Sequence, residues 1–87
     1  MQKSLYTPEQ IKLQQLLRQL RKEAHLTQLA LAEKLEVAPS RISEYEKAGR
    51  RMDILQLRRY CKAVGITLRD FVEKLEADLD EDPHSLS

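Results

Sequence analysis

The chain has 87 residues, one cysteine and a formal net charge of +1. This length fits a single domain, and at this size a helical core can hold without disulfides or a metal. The sequence has no leader and no apolar run near membrane-spanning length, so we expect a soluble, cytoplasmic protein without a cofactor, a metal or a membrane contact. One cysteine and two isolated histidines also argue against an enzyme.

The small net charge conceals an uneven distribution along the chain. Residues 1–74 hold all 15 lysines and arginines against nine acidic residues, a balance of +6, whereas residues 75–87 hold five acidic residues and no lysine or arginine. We therefore predict a basic globular domain over residues 1–79 and a disordered acidic tail over residues 80–87. The tail is either a solvated chain end or a segment that repels phosphate.

Apolar residues recur at helical spacing in five segments, and no segment alternates in the manner of a strand. Each segment begins at a threonine, aspartate or proline of the kind that opens a helix. Short connections join the segments, so we predict an all-α domain of five helices. The predicted helices and their start signals are 8–24 after Thr7, 28–35 after Thr27, 39–47 from Pro39, the segment from Asp53 to Val64, which Gly65 ends, and a fifth after Thr67.

Two features of the fourth helix are interpreted as structural. Leu57, Cys61 and Val64 fall on one helical stripe, which predicts that Cys61 is a buried core residue and not a reactive thiol. Arg58 and Arg59 are more typical of a solvated helix face than of a binding site.

The segment LTQLALAEKLEVAPSRISEYEK, residues 26–47, reads as a short helix, a tight turn and a second helix. It resembles the helix-turn-helix domain of the xenobiotic-response-element family, which includes Cro and the phage repressors and whose usual run is similar to LTQEELAEKLGVSRSTISRIENGKR. The resemblance covers residues 8 to about 75 and implies a five-helix, lambda-repressor-like DNA-binding domain. It also implies a sequence-specific transcriptional regulator, expected to be a homodimeric repressor of a nearby operon.

The resemblance assigns residues to double-stranded DNA. The major groove is about 12 Å wide and admits one α-helix, which a second helix braces across the backbone. The recognition helix is then 39–47, and Thr27 and Gln28 open the bracing helix, where the Gln28 amide and the helix N-terminus suit a phosphate. The residues implied to face DNA are Pro39, Ser40, Arg41, Ser43 and Glu44 on the recognition helix, and Lys47, Arg50 and Arg51 at its end and in the loop.

Side-chain chemistry divides the predicted roles. Arg41 can bind guanine O6 and N7 or a phosphate, and Glu44 can accept a hydrogen bond from cytosine N4. Ser40 or Ser43 can hydrogen-bond to either base. Pro39 can offer only an apolar contact to a thymine methyl. The cations after the recognition helix, Lys47, Arg50 and Arg51, would neutralise phosphates. The alternative is that these three residues belong to an ordinary solvated surface.

The resemblance implies two further structural features. Arg21 and Glu46 occupy positions that the phage repressors use for a partly buried ion pair, in which a planar guanidinium bridges two helix ends. Family members also pair to read half-sites about 34 Å apart, and apolar residues around the fifth helix could form that dimer interface or simply the core. The dimer-interface candidates are Ile66, Leu68, Val72, Leu75 and Leu79.

Several residues depart from the usual family pattern. His25, Glu36 and Ala48 stand where glycine is usual, and a left-handed residue other than glycine costs on the order of 1 kcal/mol, so we expect changes in turn geometry. Leu29 replaces a usual acid and is expected to be exposed, and Glu44 stands where a basic residue is common. These two keep an alternative open, a protein-interaction module such as an antitoxin or regulator subunit that binds a protein partner.

Overall fold

The computed structural model describes residues 7–48 and 50–81, and within these residues the chain forms helices and no strand. This confirms the predicted all-α fold of five helices. No helix in these two ranges is both long and apolar enough to cross a bilayer. The helices are α1 (Pro8–Glu23), α2 (Gln28–Leu35), α3 (Pro39–Ser43), which continues as a π-helical turn (Glu44–Ala48), α4 (Ile54–Val64) and α5 (Leu68–Glu81).

Local capping signals account for most helix ends. Thr7 Oγ1 accepts a hydrogen bond from the backbone N–H of Gln10 at 3.0 Å, which satisfies one of the free donors at the start of α1. Asp53 and Gln56 form a reciprocal capping box at the start of α4. Gly65 ends α4 with a φ of 92°, a left-handed conformation that favours glycine. These predicted boundaries are confirmed.

The fifth helix runs further than predicted. Asp80 and Glu81 belong to α5, so assigning them to a disordered tail was wrong. No glycine or proline interrupts the sequence between the start of α5 and Pro83, and the half-buried Leu79 gives the last turns some packing. Residues 82–87 of the predicted tail lie outside the described residues.

The core lies where α1 packs against the π-helical turn and α5, and where α4 packs against α2 and α5. Cys61 is fully buried there, and burial raises the pKa of its thiol to about 11, so the sulfur stays protonated and behaves as a small apolar group. This confirms the structural interpretation of Cys61. The core residues are Leu16, Leu17, Leu20, Leu31, Ala32, Ile42, Tyr45, Tyr60, Cys61, Val64 and Phe71.

Two turns keep a left-handed residue without using glycine. His25 has a φ of 61° and Glu36 a φ of 58°. After α2, the N–H of Val37 donates to the carbonyl of Ala32 at 3.0 Å and closes the turn before α3. Both residues keep a left-handed conformation, so the fold absorbs the backbone strain at these two positions.

The candidate dimer residues divide between core and surface. Ile66, Leu68 and Leu75 are half-buried and pack against the core of the single chain. Leu79 is also half-buried, whereas Val72 is 42% exposed. Of the five, Val72 is therefore the residue with the most apolar surface left for a second subunit.

Candidate nucleic-acid interface

The first turn of α3 begins with two exposed residues. Pro39 and Ser40 are exposed, Arg41 and Ser43 are half-buried, and Ile42 is the buried residue that anchors this short helix. Proline suits this position because the first N–H of a helix has no partner within the helix. The residues that the resemblance directs toward bases thus lie on an accessible turn.

The second half of the predicted recognition helix is not α-helical. The prediction of one α-helix over 39–47 is wrong in this respect, because residues 44–48 form a π-helical turn. Both Tyr45 and Glu46 are buried in this turn, at 4% and 3% exposure. The tight packing of this turn holds the exposed end of α3 in place.

A buried polar cluster surrounds the carboxylate of Glu46. Arg21 donates to both oxygens, from Nε at 2.7 Å and from Nη2 at 3.1 Å, and Gln28 Nε2 donates at 3.2 Å. The single hydroxyl hydrogen of Tyr60 lies between the Glu46 carboxylate and the Leu17 carbonyl, each 2.9 Å from the phenol oxygen. The structure therefore brings the predicted ion pair together and joins α1, α2 and α4 to the π turn.

The ionisation of this cluster follows from its contacts. Burial by itself would raise the pKa of Glu46, but hydrogen bonds from Arg21, Gln28 and Tyr60 hold it below its usual value. The hydrogen bond to Glu46 raises the pKa of Arg21, and burial raises that of Tyr60 far above neutrality. The carboxylate and guanidinium consequently stay charged near neutral pH, so the brace beneath α3 does not change with modest shifts of pH.

Thr27 and Gln28 both serve the protein's own structure. Thr27 Oγ1 accepts from the N–H of Ala30 at 3.0 Å and caps α2. Gln28 is half-buried, and its amide nitrogen donates to Glu46, so this nitrogen links the bracing helix to the π turn. The sequence predicted the Thr27 cap, which is confirmed, but the resemblance directed the Gln28 amide to phosphate and did not predict its bond to Glu46.

A cationic concavity of about 250 Å³ lies beside the start of α2, and we call it the α1-side pocket. Its lining includes Arg18 and Lys22 from α1 together with Lys47 from the π turn. Arg18 and Lys22 are exposed, and sequence reasoning did not single them out. Their spacing on α1 placed them on one helix face, but only the packing of α1 against the π turn brings them to Lys47.

A second pocket, of about 170 Å³, lies between α3 and α4, and we call it the α4-side pocket. Arg41 and Arg59 both line it, with the Gln56 amide beside them and no acidic residue in the lining. Sequence reasoning treated Arg59 as part of a solvated face. The structure places it in the same pocket as the recognition helix, so two guanidinium groups approach one surface.

The loop after the π turn carries the remaining predicted cations. Arg50 is exposed, and its Nη1 pairs with Glu44 Oε1 at 2.9 Å. Arg51 is also exposed and lines a pocket with Arg50, Met52, Tyr45 of the π turn and residues of α1. The loop cations thus lie next to the π turn and α1, and Arg50 is already paired with Glu44 of the π turn.

A short exposed helix, braced by the helix before it and bordered by cations, is the geometry of a helix-turn-helix DNA-binding domain. The chain belongs to the Cro and C1 type of this class, the xenobiotic-response-element family. The family model described as helix-turn-helix matches residues 17–71. The fold is therefore that of a DNA-binding regulator, in a family of non-enzymatic domains.

Comparison with known proteins gives a consistent result. The chain is similar to a solved structure described as an XRE-family like protein from Pseudomonas syringae pv. tomato str. DC3000, with a TM-score of 0.66 and 34% sequence identity. The match covers 77% of this chain and 85% of the Pseudomonas chain. No curated protein sequence matches this chain.

Proposed function

We propose that this protein is a homodimeric, sequence-specific transcriptional repressor that places α3 in the major groove of double-stranded DNA. The observation that carries the proposal is a group of cations that line three pockets, each of which also includes a residue of α3 or of the π turn. The group draws on α1, α3, the π turn, the loop after it and α4, so it forms only when the helices are assembled. Its members are Arg18, Lys22, Arg41, Lys47, Arg50, Arg51 and Arg59. Such a repressor acts where the chromosome lies, in the cytoplasm.

We assign the two pockets to the two phosphate strands that border a major groove. The α1-side pocket and the α4-side pocket each contain residues of the recognition element and cations from a neighbouring helix. Contacts to phosphates fix the register of a protein on the duplex, and contacts to base edges provide the sequence information. We therefore assign Arg18, Lys22 and Arg59 to phosphates, in addition to the loop cations.

The exposed turn supplies the groups that read bases. We assign Arg41 to a guanine, Ser40 and Ser43 to polar base edges, and Pro39 to a thymine methyl, as their chemistry allows. Arg41 is half-buried and lines the α4-side pocket. We therefore propose that its side chain binds either within that pocket or in the major groove.

The test begins by selecting a binding site from a pool of random duplexes. Arg41→Ala should weaken binding to the selected site by about 1–3 kcal/mol and relax specificity at one base position. Arg59→Ala should weaken binding to all duplexes alike and reduce the slope of affinity against salt by about 1. The matched control is Arg69→Ala, which removes an exposed arginine from α5 and should leave both quantities unchanged. Failure of the wild-type chain to enrich any duplex would refute the proposal.

The homodimer is tested separately by sedimentation equilibrium. We place the dimer interface around α5 and its neighbours, with Val72 as its exposed apolar member. Val72→Glu should then shift the chain toward monomer. Leu55→Glu, at a residue 61% exposed near the start of α4, is the comparison variant. If only the Leu55 variant dissociates, the dimer interface is formed by α4 and not by α5.

A second candidate function is supported by Leu29. This residue is 57% exposed on the first turn of α2, a position close to the proposed DNA surface. A large exposed aliphatic side chain suits a protein partner better than a phosphate backbone. A protein-interaction module, such as an antitoxin or a regulator subunit, is therefore the alternative, and it predicts no duplex selection at any salt concentration.

A further inference from the structure

We propose that the ion pair between Glu44 and Arg50 is a selectivity determinant, which keeps Arg50 from phosphates on random DNA and opens where a base offers a donor to Glu44. This inference rests on the proposed function. Arg50 Nη1 lies 2.9 Å from Glu44 Oε1, and the two side chains are 46% and 42% exposed. The N–H of Arg50 also donates to the Glu44 carbonyl at 3.3 Å, so backbone and side chain both tie the loop to the π turn.

The charge of Glu44 explains why the pair matters. Glu44 is an anion on the surface that is proposed to face a polyanion, and Arg50 compensates that charge in the free protein. While the pair is closed, Arg50 adds no net positive charge to the interface. Moving Arg50 to a phosphate would leave the Glu44 carboxylate without its partner next to DNA. Repulsion between the carboxylate and the DNA phosphates disfavours this arrangement.

A base can remove this penalty. The N4 amino group of cytosine donates a hydrogen bond in the major groove, and a carboxylate is its usual acceptor. Glu44 can then exchange Arg50 for the cytosine, and Arg50 becomes free to bind a phosphate. The phosphate contact of Arg50 is thereby made only on duplexes that present the correct base, and it contributes to specificity.

Glu44→Gln separates this mechanism from simple base contact. Glutamine keeps the length and an acceptor oxygen but loses the charge, so Arg50 is released on every sequence. On a random duplex, one additional phosphate contact steepens the slope of log affinity against log salt by about 0.9, which is about eight-fold tighter binding at about 0.1 M salt. The affinity ratio between the selected site and the random duplex should fall.

The experiment is a fluorescence-anisotropy titration of four chains against both duplexes over a salt series. The chains are wild type, Glu44→Gln, Arg50→Ala and the double variant. Arg50→Ala should weaken random-duplex binding, because it leaves the Glu44 carboxylate unpaired next to DNA, and the double variant should lose the gain of Glu44→Gln. Glu73→Gln is the matched control, because it removes the same charge from an exposed position on α5 and should keep the wild-type slope.

The outcomes distinguish this inference from the proposed function. Equal slopes for wild type and Glu44→Gln on the random duplex, or a gain that persists in the double variant, would overturn the role of the ion pair while DNA binding stands. A gain of equal size in Glu73→Gln would also overturn it, since the effect would then be one of total charge. Absence of binding by all the chains would refute the proposed function itself.

Discussion

Replacing Glu46 by alanine should destabilise the domain by about 3–5 kcal/mol. The change removes the acceptor of four hydrogen bonds, two from Arg21 and one each from Gln28 and Tyr60. The side chains of Arg21 and Glu46 are 10% and 2% exposed, so water cannot readily replace the lost carboxylate. Arg21 keeps its bond to the Leu26 carbonyl at 2.8 Å, which favours the lower end of this range.

The loss is large relative to the whole stability of the chain. At roughly 0.05–0.15 kcal/mol per residue, a chain of this length has a free energy of unfolding of about 4–13 kcal/mol. Urea unfolding followed by far-UV circular dichroism measures the change directly. Glu33→Ala, at an exposed position on α2, is the control and should shift the free energy by no more than about 0.5 kcal/mol.

A paired replacement tests the cause. Arg21→Met combined with Glu46→Leu removes both buried charges and should recover most of the stability lost in Glu46→Ala. The reasoning is refuted if Glu46→Ala unfolds at the wild-type urea concentration with the same slope. It is refuted equally if the paired replacement is as unstable as the single one, because the unpaired buried charge would then not be the source of the loss.

Two further predictions concern pH and backbone strain. Because the folded-state pKa of Glu46 lies below its ordinary value of 4.5, its stabilising contribution is complete well above pH 4.5 and is lost as pH falls through the lower value. Urea midpoints from neutral to acidic pH should therefore decline less steeply in Glu46→Gln than in wild type, and parallel declines would contradict this. Glu36 adopts a φ of 58°, so Glu36→Gly should raise the stability by about 1 kcal/mol in thermal unfolding. A lower melting temperature would show that the Glu36 side chain contributes more than its backbone strain costs.

Local sequence signals predicted the helices because helix capping acts over three or four residues. Thr7 with Gln10 and Asp53 with Gln56 need only their own backbone neighbours to form their hydrogen bonds. Apolar periodicity likewise predicted that Cys61 is buried. The resemblance of residues 26–47 to a known motif then gave the class of protein and the pairing of Arg21 with Glu46, which no spacing rule would have found.

Long-range packing settled the features that local signals could not. Residues 44–48 form a π turn that helical periodicity does not predict, and its buried residues Tyr45 and Glu46 lie where this turn packs against α1. Arg59 is far from Arg41 in sequence and shares a pocket with it only because α4 packs against α2, the helix that precedes α3. The pairing of Glu44 with Arg50 depends on how the chain folds back after the π turn. Charge and hydrogen-bond partners across helices are set by three-dimensional proximity, and so they emerge only once the helices are assembled.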